Sequence, residues 1–208
     1  MSYVAMIITE TPVEQQVVLT ATIGTNAGLL PRIFELYVPQ GSRVADVTYR
    51  RGVFWQNIDR SKYEVFATDL MTGVDFCDLP YDERSLDALI LDPPYMHGGK
   101  GIKESINRCY RNQNTSHESV IRLYAGGVLE ASRVLRKKGI VIVKCQDEIE
   151  SGKQRLSHVE IIQLLELLGF EIVDQFVLVQ ETVPAMRHDY QKSARKNHSY
   201  AIVASFRR

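Results

Sequence analysis

An α/β protein built on a mostly parallel sheet is the fold class this sequence predicts, and three features predict it. Short apolar runs alternate with longer stretches of helical spacing, the rhythm of strands joined by crossover helices. The clearest runs close on acids, Asp46, Asp69 and Asp92, rather than continuing as long apolar segments. A length of 208 residues with 45% hydrophobic content suits one domain with a sizeable core and is short for two.

The elements follow in order. After Pro39-Gln40-Gly41, the run SRVADVT (42–48) predicts the first strand, and EVFATD (64–69) the second. Leu86 to Leu91 predicts a third, ending at Asp92. Val120, Leu123, Tyr124, Val128, Leu129 and Leu135 recur at helical intervals and predict a helix over about 118–137. A strand follows in GIVIVKCQ (139–146). The stretch LSHVEIIQLLELLGF (156–170) predicts a helix capped by Ser157 and stopped by Gly169. The runs at 171–180 and 199–206 predict the last two strands. Segments 97–117 and 182–198 carry no apolar periodicity and read as mobile loops; loops of that length are usually functional or disordered. With no repeat, linker or low-complexity tract, residues 1–208 read as a single domain.

Composition narrows the function. No window approaches the roughly 18 uninterrupted apolar residues of a membrane span, and the N-terminal stretch lacks a signal-peptide pattern, so the expected location is cytoplasmic. Cys77, Cys109 and Cys145 form no CxxC pair and read as reduced thiols. The five histidines show no metal-ligand spacing, so no metal is expected. Lys+Arg and Asp+Glu balance at 25 each, yet between 183 and 208 six basic residues face Asp189 alone. Beside a site, such a surplus suits nucleic acid.

In a doubly wound sheet ligands sit beyond the carboxyl ends of the strands, and this edge collects acids. Asp46 and Thr48 close the first strand, just before Tyr49-Arg50-Arg51-Gly52. Asp69 stands where a carboxylate can accept ribose hydroxyls, and Asp75-Phe76 can offer a side chain and an amide to an adenine edge. The first turn has one glycine, Gly52, and is no pyrophosphate fingerprint; a cofactor without phosphates, such as S-adenosylmethionine, remains compatible. At the next strand end stands Asp92-Pro93-Pro94-Tyr95. Two prolines stiffen the backbone and leave its carbonyls free as acceptors. A carboxylate beside such a carbonyl can take both hydrogens of an exocyclic –NH2 group and aim its lone pair, while Tyr95 stacks on the ring.

LDPPY after a buried strand resembles motif IV of the S-adenosylmethionine-dependent amino-methyltransferases, especially the N6-adenine and N4-cytosine DNA enzymes. GLLPRIFELYVPQGSRVADVTYRRGVFW (28–55) is similar to their motifs X and I run together, DFCDLPYDERSLDALILDPPY (75–95) to motif III feeding motif IV, and KNHSYAIVASFRR (196–208) to the closing strand of many bacterial and phage members. The resemblance implies a Rossmann-like class I methyltransferase fold, a seven-stranded sheet with its last strand antiparallel, and S-adenosylmethionine as methyl donor. It implies a cofactor site of Asp46, Thr48, Tyr49, Gly52, Asp69, Leu70, Asp75 and Phe76, and a catalytic set of Asp92, Pro93, Pro94 and Tyr95. Arg50 departs from the family, which usually has a glycine there, and 208 residues leave no room for a separate target-recognition domain.

Substrate contacts are expected from the two loops and the strand between them: His97 and Lys100 from one, Arg187, Arg195 and Lys196 from the other, and Gln146 beside the base. A base in a duplex would have to be flipped out. The function read from the sequence is methyl transfer to the exocyclic amine of a nucleobase, with N6 of adenine in DNA first, because the Asp form of the tetrapeptide favours it in the family. Two readings stand beside it: an RNA amino-methyltransferase, and a non-catalytic nucleic-acid-binding module with a degenerate cofactor loop. A partner subunit or a homodimer is left open.

Overall fold

Seven strands hydrogen-bond into one sheet, and the order in which they do so places the candidate residues. The computed structural model describes residues 17–95, 116–180, 193–194 and 196–208. Along the chain come β1 (Ala21–Ile23), α1 (Asn26–Tyr37), β2 (Arg43–Asp46), β3 (Glu64–Ala67), β4 (Leu86–Leu91), α2 (His117–Val134), β5 (Leu135–Cys145), β6 (Glu148–Glu150), β7 (Lys153–Arg155), α3 (Ser157–Leu167), β8 (Phe170–Val179) and β9 (His198–Phe206). The large sheet runs β1-β8-β9-β5-β4-β2-β3, and β6 and β7 form a separate hairpin. Strand β9 is antiparallel to both neighbours and every other pairing in the large sheet is parallel. This is the mostly parallel, seven-stranded arrangement expected, closing strand included.

Two apolar layers cover the sheet. On one face α1 lays Leu29, Leu30, Ile33 and Phe34 against Val44, Ile90, Ile142, Phe176 and Val203. On the other, α2 and α3 bury Val120, Tyr124, Val128, Ala131, Ile161 and Leu165 over Ala45, Leu89, Leu91, Val141 and Val143. The alternation along β4 is direct: Ala88 and Ile90 face α1, Leu89 and Leu91 face α2, as a strand buried on both sides requires. Gly127 lets α2 come close, since a Cβ there would lie 2.9 Å from a Leu91 methyl.

Several elements depart from the sequence expectations. Strand β1 and helix α1 were not expected. Proline at position 31 removes an N–H donor inside α1. The carbonyl it leaves without a helical partner, that of Ala27, accepts from Asn57 Nδ2 at 3.1 Å. The predicted helix over 118–137 ends at Val134, and Leu135 opens β5 instead. Leu129, counted on the apolar stripe, is 57% exposed. Ser157 does not cap α3: it is the first helical residue, fully buried, and Leu156 holds the cap position without a side-chain bond. Of the two segments read as loops, His117 opens α2 and His198 opens β9. The His117 ring bridges Glu148 Oε1 at 2.9 Å and Glu160 Oε1 at 2.8 Å, tying α2 to the β6–β7 hairpin and α3. Among the described residues, no helix is long and apolar enough to cross a membrane, no group of three or more His, Cys, Asp or Glu is placed to hold a metal ion, and Cys77 and Cys145 are free thiols.

Candidate functional site

Strand order reverses between β2 and β4: the chain leaves β2 toward β3 on one side and leaves β4 toward β5 on the other. A crevice beyond the carboxyl ends at such a point is where ligands bind in open α/β sheets. Asp46 ends β2 and pairs with Ile90 of β4. Two residues further along each strand stand Thr48 and Asp92, and the Asp92 backbone N–H donates to Thr48 Oγ1 at 2.8 Å.

The turn after β2 is shaped around Asp46. Its carboxylate, fully buried, accepts from Trp55 Nε1 at 2.8 Å on one oxygen and from the Thr48 amide at 3.1 Å on the other. Burial pushes Asp46 up to about 7, opposed by the bonds from Trp55 and Thr48 and reinforced by the charge of Asp92. Trp55 is brought there by a short 3-10 turn, Val53–Trp55, which Gly52 opens with a φ of +63°. Nothing but glycine suits that position: an added Cβ would meet the Tyr49 hydroxyl at 2.5 Å. Arg50 also takes positive φ, +46°, so the chain keeps there the left-handed backbone that a glycine would supply.

Asp69 organises two turns at once. One oxygen accepts from the Arg50 amide at 2.8 Å; the other caps the 3-10 turn Leu70–Thr72 through Met71 and Thr72. Three backbone donors on one carboxylate take up most, but not all, of its acceptor capacity. Leu70 is half-buried. Asp75 is exposed and closes a tight turn onto the Cys77 amide, while the Phe76 ring is buried beneath α2. Tyr49 packs beside Gly52 and its hydroxyl accepts from Arg60 Nη1 at 2.9 Å.

Asp92 is the unsatisfied member. Its Oδ1 is buried and has no hydrogen-bond partner among the described residues, the state of an acceptor that awaits a donor. Burial pushes Asp92 up to about 6, with Lys144 and then Arg50 pulling it back. Pro93 is buried, Pro94 and Tyr95 are half-buried, and Tyr95 packs against the core on the α2 side. Gln146 is near the same edge, but its Nε2 donates to the Lys196 carbonyl at 3.3 Å, so it joins β5 to the approach to β9. His97, Lys100, Arg187 and Arg195 lie outside the described residues.

The sequence reading passed over Lys144, Ser199 and Trp55. Lys144 is 3% exposed and its Nζ donates to Ser199 Oγ at 2.6 Å. A lysine inside the apolar run GIVIVKC was the available signal, since lysine is almost never buried without a partner. Asp46, Asp92, Lys144 and Ser199 thus form a polar row across β2, β4, β5 and β9, on the face that α1 covers.

No family model matches the chain, and no curated protein matches it in sequence. Solved structures do match in shape. An S-adenosylmethionine-dependent methyltransferase from Methanosarcina mazei superposes with a TM-score of 0.54 at 11% identity, over 84% of this chain and 97% of that one. TrmN from Thermus thermophilus gives 0.54 at 18% identity, over 86% of this chain and 48% of that one. The fold is that of the class I methyltransferases. The cyclase SpnF has it too, with a TM-score of 0.53 at 16% identity over 86% of this chain and 80% of its own. A class I methyltransferase fold therefore sets the frame, and the reaction has to be argued from the side chains.

Proposed function

We propose that this protein transfers a methyl group from S-adenosylmethionine to the exocyclic amine of a nucleobase, N6 of adenine in DNA before any other. The observation that carries the reading is the buried Oδ1 of Asp92, which has no partner among the described residues, at the point where the strand order reverses, followed at once by two prolines. The donor set suits a phosphate-free nucleoside cofactor. Asp69 has acceptor capacity that a ribose could use, Asp75 is exposed and could serve an adenine edge, and the turn 47–52 lacks the glycine-rich cradle a pyrophosphate needs. When bound, S-adenosylmethionine supplies an electrophilic sulfonium methyl.

The chain's own residues do the rest. Asp92 accepts one N–H of the amine and the Pro93 carbonyl accepts the other, which frees the nitrogen lone pair from the ring. The rigid Pro93-Pro94 backbone holds those acceptors in place, so their geometry is set before the amine arrives. Positive charge that develops on the nitrogen is stabilised by the Asp92 carboxylate in a site of low dielectric. Tyr95 stacks on the base. The preference for DNA adenine rests on the resemblance of LDPPY to motif IV, and basic residues from 97 to 115 and 187 to 198 are expected to follow the phosphates.

The test uses labelled cofactor with DNA and RNA, followed by digestion to nucleosides. Label in N6-methyladenine of DNA, lost in Asp92→Ala with the circular dichroism spectrum unchanged, is the expected result. Label confined to RNA would move the substrate class. Turnover retained by Asp92→Ala rejects the role of Asp92, and an inert wild-type protein that still binds nucleic acid favours the binding module.

A further inference from the structure

We infer that Lys144 is a positioning residue whose buried ammonium, on the neighbouring strand, keeps the carboxylate of Asp92 ionised to accept its amine. The inference deepens the reading above and rests on Asp92 as the acceptor of the amine hydrogens. Its geometric basis is the β4–β5 register: Leu91 pairs with Val143, so Asp92 and Lys144 are the next neighbours at the carboxyl edge. Ile90 and Ile142, two residues before each, both lie in the core under α1. By the period-two alternation of strands, Asp92 and Lys144 share that face.

Lys144 is held at both ends. Its carbonyl accepts from the buried Tyr124 hydroxyl at 2.7 Å, and its Nζ donates to Ser199 Oγ at 2.6 Å. Ser199 is 1% exposed and neutral, so it orients the ammonium without balancing its charge. A buried ammonium whose hydrogen-bonded partner among the described residues is neutral is costly unless an anion lies close. Among the described residues, the titratable groups electrostatically coupled to Asp92 are Asp46 on β2, Arg50 in the following turn, Lys144 and Cys145 on β5 and Tyr124 on α2. Asp46 opposes ionisation, and the thiol and phenol are pushed up by burial and carry no charge at neutral pH. Of the two cations, Arg50 is exposed to water and Lys144 is not. Burial drives Lys144 toward the neutral form and the charge of Asp92 holds it cationic, so the two groups sustain each other's charge. A lysine ammonium enclosed at this strand edge carries a burial cost that an apolar residue there would avoid, which points to a task at the site.

The experiment titrates the Asp92 carboxyl by carbon-13 NMR in the wild type and in Lys144→Gln, Lys144→Met and Lys144→Arg. Glutamine can keep a bond to Ser199 without the charge, and methionine fills the space if a buried amide prevents folding. The wild-type carboxyl is expected to titrate near pH 6, and about one pH unit or more higher in either uncharged variant. Lys144→Arg should return it toward the wild-type value. The acid limb of kcat should move by the same amount, with KM for nucleic acid little changed. An Asp92 titration that stays put in whichever uncharged variant folds overturns the inference. If the titration moves but the wild type methylates nothing, Lys144 keeps its electrostatic role and the methyl-transfer reading is the part that fails.

Discussion

One hydroxyl joins two strand ends: Thr48 Oγ1 accepts the Asp92 backbone N–H at 2.8 Å while lying 3.4 Å from Asp46 Oδ1. Thr48 thereby fixes the height of Asp92 relative to the turn that precedes Gly52. Both Thr48 and the Asp46 carboxylate are buried, so water cannot replace the bond cheaply.

Thr48→Val keeps the shape and removes the acceptor. The part-buried Asp92 N–H, left without a partner, costs about 1 kcal/mol, which urea unfolding should register. With Asp92 in its proposed role, a shifted strand end displaces the amine acceptor, so kcat is expected to fall by roughly tenfold to a hundredfold, and Thr48→Ser should recover most of it. Full activity in Thr48→Val would mean that the strand ends are aligned by other contacts.

Trp55, the one tryptophan in the chain, reports on Asp46 directly, since its Nε1 donates to that carboxylate at 2.8 Å. Asp46 lies near 7 in the folded protein against 3.8 in an exposed reference. Its emission should therefore shift with a midpoint near pH 7, as the bond becomes charge-assisted on ionisation. The sign for stability follows. The folded state holds this proton more tightly than the unfolded one, so the Asp46 contribution is fully present below about pH 4 and is lost as pH rises through about 7. A Trp55 emission flat from pH 5 to 9 would show that Asp46 does not titrate there.

Gly52 and Arg50 should respond unequally to substitution although both have positive φ. Gly52→Ala combines a φ of +63° with a Cβ that would meet the Tyr49 hydroxyl at 2.5 Å. A loss of about 1 to 3 kcal/mol is expected in thermal or urea unfolding. Arg50→Gly relieves a φ of +46° on an exposed residue, and stability should change by less than about 1 kcal/mol. If the two changes cost the same, the turn is not held in the way described.

What could be read in advance depended on how local the cause was. LILDPPY announces itself: an apolar run buried on both faces, stopped by two residues that cannot continue a sheet. Strands β2, β3, β8 and the closing β9 were legible as short runs rich in apolar residues. Helix α1 was not, because Gly28 and Pro31 break the helical pattern and the compensating donor, Asn57, comes from a turn thirty residues on. Leu135 fits a helical period by spacing, but pairing with Leu86 of β4 draws it into the sheet.

The site divides along the same line. Chain order alone determined which acids arrive at strand ends, because strand direction and period are properties of short stretches, and it determined the stiff elbow after Asp92. Only tertiary structure decided what each acid does there. It turned Asp46 inward onto Trp55, spent much of Asp69 on backbone amides, left Asp92 Oδ1 without a partner among the described residues, and set the buried Lys144 on the next strand at the same edge. Those outcomes depend on burial and on charges brought together from separate strands, and neither is encoded within reach of a single segment.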